Sequence, residues 1–392
     1  MKSSIITFFL SLILATSLAR GAVIMVSPGQ SVQAAINSAS SGDDIVLSGG
    51  IFDENVTIDS KSLDIRSFSS TAEIHSIKII NATGLSVIQN IQVIDLNASG
   101  SNLLIKKSTI GNNLSVIGGE LRILQSSIYQ KLSCKASASE ILYNVIRHAE
   151  IEGNSTIIGN HFDGRNLLGI GIDLKGNNTH AVIRNNQIHD YRGHINHNIS
   201  EAFIGIRVVG NAKADIINNL IYNCYDEGHN GSESKVGIGI YVENTRGTTI
   251  FGNALWHCFV ERGTTGVGSR LIWAPPSGVI VENNSFWKST NQQSHVHTGG
   301  GVIARDSVEG DPKFNVDYTL KSTSPCIDKG PPDPQYNDRD GSRNDIGMFG
   351  GHNFIPDGRT TNKPIVLGLD VAPIAVPTGG TVTIESTGAT VK

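Results

Sequence analysis

Two stretches decide the fold: Ile183-Arg184-Asn185-Asn186-Gln187-Ile188 and, one repeat later, Ile216-Ile217-Asn218-Asn219-Leu220-Ile221. Each has an apolar residue, four others and a second apolar residue. Between Ile88 and Phe286 this pattern occurs nine times. Successive copies lie 16 to 18 residues apart at first and 26 to 34 apart later, which is typical of a stacked repeat whose turns lengthen along the chain. The chain is therefore predicted to be a solenoid.

The asparagines indicate which kind of solenoid this is. From the fourth copy on, an Asn stands two positions before the second apolar residue, at Asn144, Asn160, Asn186, Asn219, Asn253 and Asn284. Asn tolerates left-handed backbone geometry and bonds locally, so it suits a tight turn between two short strands. The 43 glycines and many β-branched residues oppose a helical repeat. We therefore expect an all-β chain whose strands stack in one direction, as in a parallel β-helix.

Length and charge agree with one elongated domain. The chain has 392 residues, of which 39% are hydrophobic and 17% charged. A solenoid can exceed the usual domain size because each turn contacts only its neighbours. The formal net charge of -4, without any basic run, argues against nucleic acid as a partner.

The first residues have the pattern of a targeting signal. Lys2 precedes the apolar run 5–14, and the small residues Ser17 and Ala19 offer a cleavage site, with Ala19 and Gly21 as a second choice. We expect residues 1–21 to be a signal peptide and the mature protein to be secreted, at the cell surface or in the periplasm. An uncleaved amino-terminal anchor is the alternative. No later stretch is long and apolar enough to span a membrane.

Both ends of the repeat resemble a known family. The opening segments 31–36 (Ser-Val-Gln-Ala-Ala-Ile), 42–47 (Gly-Asp-Asp-Ile-Val-Leu) and 50–56 (Gly-Ile-Phe-Asp-Glu-Asn-Val) are similar to those of right-handed parallel β-helix proteins of the pectin lyase-like superfamily. The segments 311–314 (Asp-Pro-Lys-Phe), 324–330 (Ser-Pro-Cys-Ile-Asp-Lys-Gly) and 340–347 (Asp-Gly-Ser-Arg-Asn-Asp-Ile-Gly) resemble the closing segment of its secreted bacterial members.

The resemblance implies a domain organisation. Residues 22–353 would form a right-handed parallel β-helix, with a short amino-terminal capping helix and an irregular carboxy-terminal cap. Residues 354–392 would be an extension that is either partly ordered or the remnant of an immunoglobulin-like module. The fold hosts lyases, hydrolases, esterases, epimerases and adhesins, so it does not fix an activity. The Asn-Thr-Asp and Arg-Ile-Lys elements of polygalacturonases do not occur, and the catalytic motifs of pectinesterases and the usual pectate lyase motif are not recognisable.

The surplus residues of the longer repeats locate the functional face. They fall in 189–203, 222–237 and 256–278, which hold five of the 12 histidines. Loops that stack above one another form a wall beside the sheet. On the neighbouring strands Asp173, Arg207 and Tyr241 follow one another at a spacing of 34 residues. We expect them to form an outward column of acid, base and phenol.

Such a wall suits the cleavage of an acidic polysaccharide. Eliminative cleavage of a uronate requires neutralisation of its carboxylate, a base for the C5 proton and a proton donor to the leaving oxygen. The sequence offers Arg207 or Arg192 for the first role, Lys235, His229 or His194 for the second, and Tyr241 or Tyr225 for the third. Polysaccharide lyase is the favoured activity. In the structural alternative, Asp173 and Arg207 form a surface ion pair of little energetic value and the loops are merely solvated.

Aromatic residues suggest a second hypothesis. Tyr222, Trp256 and Trp287 each follow the second apolar residue of a repeat, so they are expected to point outward in a column. Such a column either binds sugar rings or shields the sheet. With the neighbouring Asp190, Arg192 and Asp226 as further binding residues, the alternative function is a non-catalytic carbohydrate-binding or adhesin-type protein. A hydrolase using Asp190 and Asp226 is less favoured, because it needs carboxylates roughly 5–9.5 Å apart.

The cysteines and the last acidic residues leave alternatives open. Cys224 and Cys258 occupy the same place in adjacent repeats, where a strand spacing of about 4.8 Å suits either a disulfide or two stacked thiols. The acidic loop at Asp338, Asp340 and Asp345 either resembles a calcium loop or caps the solenoid by accepting backbone amides. Calcium is the one cofactor that the sequence suggests, and no metal site is assigned. The protein is expected to be a monomer.

Overall fold

The computed structural model describes residues 21–68, 72–165, 169–193, 201–226, 235–243, 247–260, 270–274, 278–287, 296–298, 303–352, 365–372 and 383–389. Within these ranges, only the backbone is described at residues 201, 202, 226, 235, 236, 259, 260, 297, 298, 303, 304 and from 365 on. The predicted cleavage site and apolar run of the signal lie outside the described residues.

The protein is a right-handed parallel β-helix, as the repeat spacing and the resemblance predict. The strands of its amino-terminal half are β1 (Val23–Val26), β2 (Asp44–Leu47), β3 (Gly50–Asp59), β4 (Asp64–Ser67), β5 (Ala72–Ile80), β6 (Leu85–Gln89), β7 (Gln92–Ser99), β8 (Asn102–Lys106), β9 (Thr109–Ile110), β10 (Asn113–Ile117), β11 (Glu120–Leu124), β12 (Ser127–Leu142), β13 (Val145–Ile158) and β14 (His161–Asp163).

The carboxy-terminal half of the solenoid continues with shorter strands. They are β15 (Ile170–Leu174), β16 (His180–Arg184), β17 (Gln187–Gly193), β18 (Glu201–Val208), β19 (Lys213–Ile217), β20 (Leu220–Asp226), β21 (Lys235–Val242), β22 (Thr249–Phe251), β23 (Ala254–Val260), β24 (Arg270–Ala274), β25 (Ile280–Glu282), β26 (Ser285–Trp287), β27 (Val296–Thr298), β28 (Ile303–Arg305) and β29 (Val308–Glu309). Two further strands, β30 (Ile365–Ala372) and β31 (Thr383–Ala389), pair antiparallel with each other.

Each turn of the helix visits three stacked parallel sheets. In the carboxy-terminal half, sheet 1 consists of β16, β19, β22, β25 and β28. Sheet 2 consists of β14, β17, β20, β23, β26 and β29. Sheet 3 consists of β15, β18, β21, β24 and β27. The insertions expected from the sequence connect sheet 2 to sheet 3.

A short helix closes the amino-terminal end, as predicted. Helix α1 (Val32–Ser38) begins after Ser31, whose side chain accepts a hydrogen bond from the backbone N–H of Ala34. The carboxylate of Glu54 accepts the N–H groups of Val32 and Gln33 and the hydroxyl of Ser31. These contacts satisfy donors that a helix start otherwise leaves unpaired. The apolar face of α1 lies in the core.

The inward side chains of the three sheets form one continuous apolar core. In sheet 1, for example, one column of residues in register runs through Ile157, Ile183, Ile216, Ile250 and Val281, all completely buried. Burying an Ile side chain stabilises the fold by about 1.5–3 kcal/mol. Because every turn adds such residues, the core grows with the number of turns and sets no limit on length.

The six buried asparagines stack in a column at the turn between sheets 1 and 2. The side-chain amides of the first five each donate to the Oδ1 of the next asparagine at 2.9–3.0 Å. The same Oδ1 also accepts a backbone N–H from the preceding turn. Ser126 and Ser108 continue the column toward the amino terminus.

The left-handed residue of this turn is one position earlier than the sequence suggests. Positive φ values occur at Asn185, Asn218 and Asn283, each directly before a column asparagine, with Gly159 and Gly252 at the same place in other turns. The two properties of Asn are therefore divided between neighbours. The first residue accepts the left-handed backbone and the second makes the buried bonds, which explains the repeated Asn-Asn pairs.

The carboxy-terminal segment after β29 packs back on the solenoid. Phe314, Tyr318, Ile346 and Met348 contribute to an apolar cluster on the outer face of sheet 2. Asn185 donates to the carbonyls of Met348 and Gly350, and Asn218 exchanges side-chain hydrogen bonds with Asn344. The segment contains a short 3₁₀ helix (Pro334–Tyr336). It forms the irregular cap that the resemblance implies.

The acidic loop of this segment bonds to backbone amides. Asp338 accepts the N–H groups of Asp345 and Gly351, and Asp345 accepts that of Asp328. Burial, together with the charges of Asp345 and Asp340, raises the pKa of Asp338 to about 6 against the opposing backbone hydrogen bonds. These carboxylates thus serve the cap, one of the two interpretations the sequence allowed.

Cys224 and Cys258 lie in register in adjacent turns, and their side chains are completely buried. No disulfide joins them, so the arrangement is the stacked-thiol alternative. Burial raises the pKa of Cys224 well above its usual value, which keeps the thiol protonated. In the described part of the chain, no helix has the length and apolarity needed to cross a membrane.

Candidate functional site

The outer face of sheet 3 carries a column of polar and aromatic residues. Asp173, Arg207 and Tyr241 are in register on β15, β18 and β21, as their spacing predicts. Their neighbours in sequence, such as Ile172 and Leu174, lie in the core, so the three side chains point out of the solenoid. Glu150 precedes Asp173 in the column and Trp273 follows Tyr241.

Charged residues link the first part of this column into a network. Arg207 donates from Nε and Nη2 to the two carboxylate oxygens of Asp173, both at 2.8 Å. Lys175 lies 2.8 Å from Glu150 and 3.7 Å from Asp173. Lys131 lies 2.6 Å from the other oxygen of Glu150. The network therefore joins three cations to two carboxylates.

The Asp173–Arg207 pair is more buried than an ordinary surface ion pair. The side chain of Asp173 is 4% exposed and that of Arg207 is 19% exposed. The pair is therefore not the solvated surface contact of the structural alternative. A buried charge is retained only when it is paired and hydrogen-bonded, and removing one partner leaves the other uncompensated. Asp173 thus fixes the position and orientation of the guanidinium.

Burial and neighbouring charges set the protonation states of one carboxylate and one histidine near this network. Burial raises the pKa of Glu150, but the hydrogen bonds and charges of Lys131 and Lys175 outweigh it and bring the value to about 2. Burial lowers the pKa of His148, whose Nδ1 contacts the carbonyl of Ile170. Glu150 is therefore an anion and His148 a neutral ring at neutral pH.

Tyr241 is less accessible than the sequence suggests. Its side chain is completely buried and packs with Ile204, Ile238 and Trp273 in a cluster outside the main core. The ring centroids of Tyr241 and Trp273 are 6.5 Å apart. In this arrangement the phenol does not reach solvent, so the role of an accessible proton donor needs correction. The residue packs the site instead of lining it.

The proposed bases are placed only in part. Lys235 begins β21, where its backbone is in register with Glu201 of β18. It therefore lies on sheet 3, six positions before Tyr241, while its side chain is outside the description. His229 and His194 lie outside the described residues. Whether any of these three acts as a base stays a prediction.

A ladder of rings follows the outer face of sheet 2. Tyr222 stacks on Trp256 with centroids 4.6 Å apart and planes 4° apart, and Trp256 lies 6.5 Å from Trp287. On the other side of Tyr222 the ladder continues through His189, at 4.8 Å, to His161. The column expected from the sequence is present and is longer than expected.

Most of this ladder is covered. Tyr318 packs against Tyr222, and both Phe314 and Tyr318 pack against Trp256. Tyr222 is 6% exposed, whereas Trp287 is 41% exposed. This packing contradicts the prediction of an exposed sugar-binding ring at Tyr222, which instead holds the carboxy-terminal segment. Trp256 is half-buried, so its role in sugar binding stays a prediction, and Trp287 is the most exposed ring of the described ladder.

The remaining proposed binding residues lie where sheet 2 leads into the loops. Asp190 has a left-handed backbone and accepts hydrogen bonds from His189 and from Asn223 of the next turn. The hydrogen bond from His189 is the main reason that the pKa of Asp190 is lowered. Arg192 donates to the hydroxyl of Tyr225 at 2.7 Å. The backbone of Asp226 is in register with Gly193, but its side chain is outside the description, so the Asp190–Asp226 pair stays a prediction.

Sequence reasoning missed several charged residues of the site. Glu150, Lys131 and Lys175 were not identified, because the repeats before Asp173 differ in length and the constant spacing of 34 residues does not extend to them. His161 and Asp163 were missed because the ladder was traced through aromatic residues alone. A register continued backward along sheets 2 and 3 finds Asp163 opposite His189 and Glu150 opposite Asp173, but not His161, Lys131 or Lys175.

Comparison with known proteins shows likeness of fold alone. No protein-family model matches the chain, and no curated protein matches it either. Among solved structures, pectate lyase Pel9A has a TM-score of 0.46 at 13% identity, with 85% of this chain and 97% of that chain covered. The PL6 family alginate lyase AlyGC has a TM-score of 0.45 at 14% identity, with 78% of this chain and 56% of that chain covered. The Dettilon tailspike protein has a TM-score of 0.38 at 14% identity, with 77% and 65% covered.

Proposed function

We propose that this protein is an extracellular carbohydrate-active β-helix protein that cleaves an acidic polysaccharide by a lyase-type elimination on the outer face of sheet 3. The observation that carries the proposal is the charge network of that face. It has one more cation than carboxylates, although the chain as a whole has a formal net charge of -4. A locally cationic face on an acidic protein attracts an anionic polymer selectively.

Arg207 has the central role in this proposal. Its guanidinium is held by the two hydrogen bonds that it donates to Asp173, and it is still partly exposed. A preoriented guanidinium neutralises the carboxylate of a uronate, which lowers the pKa of the neighbouring C5–H. Because the arginine is fixed before substrate binds, this stabilisation needs little reorganisation in the transition state.

The base is proposed on the same sheet. Lys235 starts the strand that follows Arg207 in the stack, and His229 and His194 belong to the adjacent loop segments. One of them removes the C5 proton. Since Tyr241 is completely buried, we assign it no step. Tyr225 is only 8% exposed, so we propose water as the proton donor to the leaving oxygen, with Tyr225 as the alternative. Asp190, Arg192, Asp226 and Trp287 are proposed to bind the sugar chain near the loop-bearing edge.

The test is the appearance of ultraviolet absorbance from an unsaturated uronate. Purified mature protein is incubated with pectate, alginate and glycosaminoglycans, with calcium present or chelated. We expect a product with one of them. Lys235→Ala is expected to lower kcat by at least about 100-fold if it is the base. Arg207→Lys keeps the charge but loses the two parallel hydrogen bonds, so it should also lose most activity.

A matched control separates chemistry from folding. Arg66 and Asp44 form a similar pair at 2.8 Å on sheet 1, far from the loop-bearing face in sequence. Arg66→Lys should leave kcat unchanged while perturbing a pair of the same kind. Equal loss of activity in both arginine variants, or full activity in Arg207→Lys with an unchanged melting temperature, would remove Arg207 from the proposal.

A specific observation favours non-catalytic binding as the second candidate. Arg207 already forms an ion pair with Asp173, and Tyr241 is buried. The column is therefore less accessible to a substrate than the face of an active site would be. Under this alternative the protein is a carbohydrate-binding or adhesin-type surface protein. It predicts retention on an acidic glycan without any product absorbance, weakened by Trp287→Ala because that ring is exposed.

Export is part of the proposal and rests on the residue pattern of segment 1–21. An extracellular polysaccharide is accessible only to an exported protein. Amino-terminal sequencing of protein recovered outside the cytoplasm should find cleavage after Ala19 or Gly21. A full-length chain that stays in the cytoplasm would contradict this part of the proposal and leave the fold untouched.

A further inference from the structure

A second group of chemically capable residues lies at the loop-bearing end of sheet 2. Of its members only Asp190 has a place in the proposed function, as a sugar-binding residue. Asp163 on β14 and His189 on β17 are in register on adjacent turns, and Asp190 follows His189. One ligand atom from each of these residues lies within 4.8 Å of the other two. We propose that Asp163, His189 and Asp190 bind a divalent transition-metal ion, with Zn²⁺ preferred over Ca²⁺.

The distances are within reach of such an ion. Zinc binds imidazole nitrogen and carboxylate oxygen at about 2.0–2.2 Å, so the ligands of one tetrahedral ion lie about 3.3–3.6 Å apart. The three ligand atoms lie within 4.8 Å of one another, so the widest pair must close by up to about 1.5 Å when the ion binds. His189 is nearly buried, while the carboxylates of Asp163 and Asp190 are 22% and 28% exposed. The ion would thus be held from the protein side and keep solvent on the other.

The partners of His189 support the assignment independently. Its Nδ1 faces the Oδ2 of Asp190 at 2.8 Å, where an ion can replace the shared proton. Its Nε2 faces the Nε2 of His161 at 2.5 Å. Histidines that bind metals almost always donate the other ring N–H to an outer partner, which fixes the tautomer and the ring orientation. His161 is placed to be that partner.

Further contacts hold the ligands in place. The ring of Tyr222 stacks on His189 with centroids 4.8 Å apart and planes 3° apart, whereas His161 meets the edge of the His189 ring through the Nε2 contact. Asn223 donates to the Oδ1 of Asp190 at 2.9 Å, which leaves the Oδ2 directed to His189. Arg165 is the competitor, since its Nε lies 3.4 Å from Asp163 and its backbone N–H donates to the same carboxylate. Its side chain is half exposed, so its withdrawal costs little.

The imidazole nitrogen and the net charge of the three ligands determine which ion the site prefers. A site with one imidazole and two carboxylates has net charge -2, which favours any divalent ion. Calcium prefers six to eight oxygen ligands, whereas zinc accepts a mixed nitrogen and oxygen set of low number. The ion would join two adjacent turns at the point where sheet 2 leads into the loop after Gly193. The site shares no residue with the network around Arg207.

The test is equilibrium binding of ZnCl₂, MnCl₂ and CaCl₂ to untagged, chelator-stripped mature protein, followed by calorimetry and by metal analysis after gel filtration. We expect one Zn²⁺ per chain, bound at least tenfold more tightly than Ca²⁺. His189→Gln, Asp163→Asn and Asp190→Asn should each abolish this binding. His161→Gln should weaken it by about 10–100-fold, as expected for an outer partner. Zn²⁺ should also raise the melting temperature of the wild type and not of Asp163→Asn.

The exposed pair His180 and Asp215 supplies the matched control. It has the same two chemical groups at 3.0 Å on sheet 1, and among the described residues no third ligand joins it. His180→Gln and Asp215→Asn should leave the stoichiometry and affinity unchanged. No stoichiometric Zn²⁺ in the wild type, binding that survives in all three ligand variants, or tighter binding of Ca²⁺ that ignores His189→Gln would each overturn the proposal. None of these outcomes bears on the elimination test with Arg207→Lys.

Discussion

At the scale of the residue, buried amides decide whether neighbouring turns stay together. Asn219 is completely buried, donates to Ile183 and to Asn253, and accepts both the backbone N–H and the side chain of Asn186. Asn219→Leu leaves these groups without partners in the core, at about 1–3 kcal/mol for each orphaned group. We expect the free energy of unfolding, measured by urea denaturation, to fall by at least about 2 kcal/mol.

An exposed amide pair provides the comparison. Asn211 donates to the Oδ1 of Asn177 at 2.7 Å, on the surface and also between adjacent turns. Asn177→Leu should change the free energy of unfolding by less than about 0.5 kcal/mol, because water replaces the lost bond. Similar losses of unfolding free energy in Asn219→Leu and Asn177→Leu would show that burial is not the reason that the asparagine column stabilises the fold.

At the scale of the element, sheet 3 depends on a column of glycines. Gly171, Gly205 and Gly239 lie at the same place in β15, β18 and β21. A Cβ on Gly205 would meet the carbonyl oxygen of Gly239 at 2.6 Å and the Ile221 side chain at 2.7 Å. Gly205→Ala is therefore expected to lower the free energy of unfolding by about 1–3 kcal/mol, since the strands must separate or shift.

The control for this substitution stands beside the same sheet. Gly169, just before β15, has open space within 4 Å of the position that a methyl group would take, and its backbone is not left-handed. Gly169→Ala should be neutral or slightly stabilising, because it reduces the freedom of the unfolded chain. Thermal melting of both variants measures the difference. An unchanged melting temperature in Gly205→Ala would mean that the strands can make room for a methyl group at this position. Because Arg207 lies two positions after Gly205, the same variant should also lower lyase activity.

At the scale of the whole molecule, the carboxy-terminal segment holds a pH-sensitive contact. The pKa of Asp338 is raised to about 6 in the folded protein, mainly by burial, against a usual value of 3.8. The folded state then binds more protons than the unfolded state between these two pH values, so this group lowers stability as pH rises from about 4 to about 6. The melting temperature of the wild type relative to Asp338→Asn should therefore fall over this range.

Asp340 in the same loop should show the opposite sign. A hydrogen bond from Ser342 lowers its pKa, so its contribution is present at neutral pH and is lost on acidification. The melting temperature of the wild type relative to Asp340→Asn should rise slightly with pH. A flat difference for Asp338→Asn, or the same sign in both variants, would show that Asp338 is not held in a buried, proton-binding state.

The repeat and its register are predictable from the sequence alone. A stacked solenoid repeats the same local contacts, so the spacing of apolar residues is enough to place Ile183 above Ile216 and Asp173 beside Arg207. The capping helix and the irregular cap were expected from the resemblance of the opening and closing segments to a known family. The candidate site followed only as columns of residues, since strand alternation gives the direction of a side chain and not what covers it.

Which of those columns are open to solvent depends on tertiary packing. The carboxy-terminal segment covers Tyr222 although it lies far along the chain, and packing outside sheet 3 buries Tyr241. The pairing of Glu150 with Lys131 and Lys175 depends on turns of unequal length. The meeting of His161, Asp163 and His189 crosses two adjacent turns. Contacts of this kind depend on how separate parts of the chain meet in space. They therefore cannot be predicted from a periodic pattern along the chain.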